Sequence, residues 1–78
     1  MSAIIVTGAG KGIGYELVKQ FAANGHQVVA VSRNLSAFGE QPEPGIHLVP
    51  ADLSVVDTDE LVRRCMEKVG PIDVLINN

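Results

Sequence analysis

The stretch TGAGKGIG at residues 7–14 restricts the fold more than any other part of this sequence, because of what flanks it. Before it lies a β-branched apolar run, Ala3 to Val6. After it, from Gly12, residues Ile13, Leu17, Val18 and Phe21 recur at helical spacing opposite Tyr15, Glu16, Lys19 and Gln20. Apolar residues at consecutive positions read as a strand buried on both faces. An amphipathic segment entered through glycines reads as a helix lying close on that strand. Asn24-Gly25 supplies the helix stop, and Gln27 to Ser32 is a second buried strand. A parallel pair requires a crossover of this kind, so residues 3–32 form a β-α-β unit.

The remainder continues the alternation. Residues 34–45 hold Asn34, Gly39, Pro42, Pro44 and Gly45, which predicts a loop with one helical turn around Leu35 to Phe38. Ile46 to Val49 is a short third strand. Asp57 and Glu60 have the spacing of a capping box, and Leu61, Val62, Cys65, Met66 and Val69 form the apolar stripe of a second helix. Glu60/Arg64 and Arg63/Glu67 are placed for ion pairs four residues apart. Gly70-Pro71 ends that helix, and Ile72 to Ile76 is strand four. The fold class is α/β, a doubly wound parallel sheet of four strands in the order 3-2-1-4. For a folded monomer of 8.3 kDa, surface scaling expects about 4,600 Å² of accessible area and hence a thin core.

The chemistry sits in the glycine turn. A G-x-G-x-x-G pattern would need glycine at position 13, where Ile13 stands; the spacing that fits is T-G-x-x-x-G-x-G, met by Thr7, Gly8, Gly12 and Gly14. Gly8 permits the tight turn off the strand, Gly12 removes a side chain where backbone approaches a pyrophosphate, and Gly14 lets helix and sheet meet. N–H groups near Gly12 and Ile13, at the positive end of the helix dipole, face the anion. A Walker loop needs Ser or Thr after its lysine, and Lys11 is followed by Gly12, so a nucleoside triphosphate site is excluded.

With the glycine turn, SRN after strand two, ADLS after strand three and the terminal IDVLINN, the chain resembles the classical short-chain dehydrogenase/reductases over its whole length. The resemblance implies a Rossmann-type fold and an oxidoreductase moving hydride between a nicotinamide cofactor and a carbonyl or alcohol substrate. An acidic residue at the end of strand two would favour NAD; Ser32 and Arg33 stand there instead, followed by Asn34. Arg33 offers a planar cationic fork for a 2′-phosphate, and Lys11, between Gly10 and Gly12, reaches the same group. Both features resemble the NADP(H)-preferring members. By the same resemblance Asp52 turns its carboxylate to the adenine amino group with help from the Leu53 backbone, the alternative being an aspartate that caps its own turn; Asn77 passes the adenosine ribose, and Asn77 and Thr7 tie the central strands together.

The family's catalytic serine, tyrosine and lysine match no position here, so no catalytic residue is assigned and the chain by itself is expected to be inactive. It reads as residues 1–78 of a single dinucleotide-binding domain cut short, supplying the adenine half of the site. A non-catalytic nucleotide-binding module, or a minimised Rossmann scaffold, is the alternative. A full-length relative is expected to self-associate.

Composition trims the other classes. Nine acidic against six basic residues give a net charge of -3, which does not advertise binding to nucleic acid or anionic lipid. No apolar run is long enough to cross a membrane, and with no secretory signal visible the cytoplasm is the expected compartment. One cysteine and two separated histidines exclude an internal disulfide and a structural zinc site. Cys65 reads as core, His26 and His47 as surface or packing residues, and Tyr15 as part of the outer helix face.

Overall fold

In each of the first three strands, alternate side chains go to opposite faces of one sheet, and both faces are covered. The structure, a computed structural model, describes residues 2–78. Strands β1 (Ala3–Thr7), β2 (Gln27–Ser32), β3 (Ile46–Pro50) and β4 (Val74–Ile76) alternate with helices α1 (Gly12–Ala23) and α2 (Thr58–Val69), and a single 3-10 turn spans Ser36–Phe38. The sheet order is β3-β2-β1-β4, all neighbours parallel, with Ile5 opposite both Val29 and Leu75. The expected fold is the observed one.

Ile4, Val6, Val28, Ala30 and Ile46 point to the α1 side, where they meet Val18, Leu35 and Phe38. Ile5, Val29, Val31 and Val49 point to the α2 side and meet Leu61 and Cys65. This two-sided burial is why the strands read as continuous apolar runs. Six valines and Cys65 are the largest fully buried side chains, each valine contributing roughly 1.5–3 kcal/mol relative to exposure. The accessible surface of 4770 Å² is close to the scaling expectation.

Four expectations need correction. Ile13 is 73% exposed, because the stripe that packs is centred on Gly14 and Val18, with Phe21 partly buried beside them. Tyr15, expected outside, instead lies against the α1-side core with its ring on Phe38. On α2 the packed stripe narrows to Leu61 and Cys65, with Val69 partly buried and Val62 and Met66 turned outward. Strand four is only Val74–Ile76: Ile72 packs on the α2-side core, and Asp73 takes the Ala3 N–H on its carboxylate at 2.9 Å while donating its own N–H to the Ala3 carbonyl at 2.8 Å.

The ends of α2 also differ in detail. Asp57 caps the helix, its Oδ1 accepting from the Asp59 and Glu60 N–H groups. The return half of the box is replaced, because the Glu60 carboxylate pairs with Arg63 three residues on. Arg64, expected to pair with Glu60, reaches the Pro50 carbonyl at 3.5 Å. These are solvent-exposed choices among neighbours of similar energy.

Candidate functional site

Order reverses at β1: the chain leaves it toward β2 on one side and returns to it as β4 on the other. A crevice therefore opens beyond the carboxyl ends of these strands, and the glycine turn lies across it. Gly8 has φ +61, a left-handed turn off β1 that glycine takes without a Cβ penalty. The Ala9 N–H donates to the Val31 carbonyl at 3.2 Å, and the Ala51 N–H to the Ser32 carbonyl at 3.0 Å, so the segments leaving β1, β2 and β3 are laced at their bases.

Close approach explains two further glycines. A Cβ at Gly14 would stand 2.4 Å from the Gly8 carbonyl oxygen and 2.6 Å from the Asn78 side-chain nitrogen, and one at Gly10 would stand 2.2 Å from the Asn34 carbonyl oxygen. Gly14 was expected to let the helix lie on the sheet; the close approach it permits is to the turn after β1 and to Asn78. The reason for Gly10 was not legible in the motif, since it depends on where the segment after β2 passes.

Gly12 is different in kind. Its φ is +61, and apart from its chain neighbours and the backbone of its own helix no described atom lies within 4 Å of where its Cβ would be, so the space beside it is open rather than filled by the rest of the protein. Lys11, the N-cap of α1, has extended backbone and makes no side-chain cap, and the first turn holds no acidic residue. By contrast α2 is capped by Asp57 and carries Asp59 and Glu60 in its first turn. One helix has two of its leading N–H groups met by its own cap. The other has no side-chain cap and no acidic residue at the positive end of its dipole.

A cleft of about 340 Å³ is lined by Gly8, Gly10, Lys11, Ser32, Arg33, Asn34 and Ser36. It brings together the two cations singled out in the sequence, and Ser36 joins them, a residue that the loop pattern gave no signal to select. Neither cation takes part in an ion pair among the described residues. An adjoining hollow of about 360 Å³ carries Gly8, Ser32 and Arg33 on to Ala51, Asp52, Leu53 and Ser54. Gly12 and Ile13 do not line either hollow; they border a more open groove along α1 with Tyr15, Glu16, Leu17 and Gln20.

Asp52 is engaged locally. Its Oδ1 accepts from the Ser54 N–H at 2.9 Å and the Ser54 hydroxyl at 2.6 Å, a turn-capping arrangement. Those bonds, and secondarily the charge of Arg33, hold its carboxyl below the usual range. Leu53 is about half exposed beside it. Behind the cleft, the buried Thr7 hydroxyl donates to the Asn77 side-chain oxygen at 3.0 Å and accepts from the Asn78 N–H at 3.2 Å. The Asn78 amide nitrogen donates to the Gly8 carbonyl at 3.1 Å. Thr7 and Asn77 thus form the tie between β1 and β4 expected of them.

The remaining candidates are structural. Cys65 is fully buried and its thiol is pushed up by burial. His26 Nδ1 accepts from the Ser2 N–H at 3.1 Å, and His47 Nε2 lies 2.8 Å from the Gln27 side-chain oxygen. Among the described residues no group of acidic, histidine and cysteine side chains is placed to hold a metal. No described helix is long and apolar enough to cross a membrane.

The family model described as short chain dehydrogenase matches residues 2–78. Human L-xylulose reductase is 43% identical over 77 residues, an alignment covering 96% of this chain and 30% of that protein. Carbonyl reductase (NADPH) 2 of Sus scrofa is 43% identical over 77 residues, covering 95% of this chain and 30% of that one. The solved structure of the TT0495 protein from Thermus thermophilus superposes with a TM-score of 0.87 at 31% identity, over 100% of this chain and 33% of its own. The chain thus spans about a third of the length of the proteins it matches.

Proposed function

The chain belongs to the short-chain dehydrogenase family, and from that premise we propose that it forms the adenine-binding half of an NADP(H)-dependent oxidoreductase acting on a small carbonyl or alcohol substrate. The observation that carries this reading is the convergence of Lys11 and Arg33 on one cleft that no carboxylate lines. Two cations that form no ion pair among the described residues fit a 2′-phosphate, which can take charge-assisted hydrogen bonds from both. Ser32 stands where an acidic side chain would accept from ribose hydroxyls and repel that phosphate. Two relatives named as reductases, one of them for carbonyl and NADPH, support the same direction.

The residues fit a dinucleotide beyond this contact. The open space beside Gly12 and the uncapped first turn of α1 suit a pyrophosphate, whose oxygens would accept from the leading N–H groups. Gly8, Gly10 and Gly14 keep the turn low enough for that approach. Asp52 retains its Oδ2 as an acceptor for an adenine amino group, because both Ser54 bonds fall on Oδ1. Asn77 supports the ribose side through the Thr7 tie. When bound, the nicotinamide supplies the hydride. The chain's own part is to hold, orient and select the cofactor, and none of its residues is assigned to the hydride step.

Calorimetric titration of the protein with NADPH and NADH tests the reading. NADPH is expected to bind about tenfold or more tightly, the worth of one or two charge-assisted bonds after screening. Equal affinities, or tighter NADH, would refute it.

A further inference from the structure

The two cations of the cleft come from segments that share no β ladder. Lys11 stands at the start of α1, and Arg33 on the segment leaving β2; the β1–β2 ladder brings the two segments side by side only as far as Thr7 and Val31, and the path of each segment beyond it sets the final distance. Residues 33–45 pass over the α1 side of the sheet, with Leu35 and Phe38 buried there. The Phe38 ring packs on Tyr15 with centroids 4.8 Å apart and planes at 46°. Tyr15 in turn donates its N–H to the Lys11 carbonyl at 3.4 Å, so ring and cation belong to one helical turn. Further along α1, Lys19 lies with its Nζ 5.7 Å from the Tyr15 ring centroid and 2.8 Å from a Glu43 carboxylate oxygen. The segment is therefore fastened to one helix at its middle, through Phe38, and near its far end, through Glu43. On its other side the Gly10 turn abuts Asn34 without room for a Cβ.

We propose that Tyr15 and Phe38, assisted by the Lys19–Glu43 pair, are positioning residues for cofactor selection, holding Arg33 at the separation from Lys11 that a 2′-phosphate requires. The proposal rests on the reading of the cleft given above. A phosphate gripped from two walls needs both donors within hydrogen-bond distance at once. If the ring contact is lost, the segment carrying Arg33 must be ordered on binding, and that entropy is subtracted from the 2′-phosphate contacts alone. Contacts of the 5′-phosphate would be made by the leading N–H groups of α1, which the segment does not supply. The clamp therefore acts on selectivity rather than on nucleotide affinity in general.

The test is calorimetric titration of the chain with adenosine 2′,5′-bisphosphate and with adenosine 5′-monophosphate. The unmodified protein is expected to favour the bisphosphate about tenfold or more. Tyr15→Ala, which substitutes a better helix former at a partly exposed site, should reduce that preference by roughly threefold or more, with monophosphate affinity within about twofold of the parent. Tyr15→Phe, which keeps the ring, should restore it. A parent without preference overturns the reading of the cleft and this proposal with it. A preference retained in Tyr15→Ala, or equal losses for both probes, overturns the proposal alone. Should Tyr15→Ala fail to fold by circular dichroism, Glu43→Ala in the exposed loop is read the same way: a selective loss of bisphosphate binding supports the clamp, and an unchanged ratio overturns it.

Discussion

Gly14→Ala is the substitution for which the structure gives the firmest number. The added methyl carbon would lie 2.4 Å from the Gly8 carbonyl oxygen, 2.6 Å from the Asn78 amide nitrogen and 3.1 Å from the Ala9 Cα. Two of the three are backbone atoms of the turn, so relief requires α1 to move off the sheet, an overpacking cost of about 1–3 kcal/mol. Movement also loosens the Asn78 to Gly8 hydrogen bond, worth about 0.5–1.5 kcal/mol. Alanine returns about 0.8–1.0 kcal/mol through helix propensity. The net expectation is destabilisation by about 0.5–4 kcal/mol, and each kcal/mol lowers Tm by about 4–8 °C in a domain of this size. Gly12→Ala serves as the control. It meets nothing within 4 Å and pays only for its left-handed backbone, about 1–2 kcal/mol, while placing a methyl group where the pyrophosphate would approach. Urea melts and calorimetric NADPH titrations of both variants check the contrast: Gly14→Ala should lose more stability, and Gly12→Ala should lose more dinucleotide affinity than its stability loss accounts for. A Gly14→Ala protein as stable as the parent would refute the close-packing argument.

Arg33→Leu should weaken NADPH roughly tenfold or more with little change for NADH, while Ser32→Asp should reverse the preference by adding repulsion and a ribose acceptor; equal losses for both cofactors on removing Arg33 would assign it to adenine stacking or loop support. Burial, and secondarily the charge of Lys68, lower the His47 pKa from its usual 6.5. The unfolded chain therefore binds that proton more readily, and the His47 contribution to stability is present above pH 6.5 and is lost as pH falls through that value toward the folded pKa. His47→Gln should flatten that dependence in urea melts taken across the window. With its thiol buried and its pKa raised, Cys65 should react with a thiol reagent only as fast as the protein opens, so labelling in native buffer should accelerate with urea and not with pH alone. Ser54→Ala should let the Asp52 carboxyl return toward the usual range, as followed by NMR titration.

Sequence determined the order of elements and the sheet topology, because those follow from local patterns. Ile4, Ile5 and Val6, and Val28 to Val31, are apolar without alternation, which only a strand covered on both faces tolerates. The glycine turn between two such strands then leaves few topologies. The Asp57 cap and the 3-10 turn at Ser36–Phe38 were equally visible, since both depend on residues a few positions apart. The Thr7 to Asn77 tie spans 70 positions and came from family resemblance rather than from any pattern along the chain.

Tertiary structure decided what depends on neighbours distant in sequence. Helical periodicity could not tell that Ile13 faces outward and Tyr15 inward, because a helix's apolar stripe is selected by the sheet and by Phe38 on the loop beyond β2. The necessity of Gly10 came from the path of Asn34. Lys11 and Arg33 were each selected in the sequence, but that they share one cleft depends on a parallel β1–β2 pair and on the segment clamped over α1. Local propensity acts over a turn or a strand pair, whereas a site made of two walls exists only after the long-range contacts close.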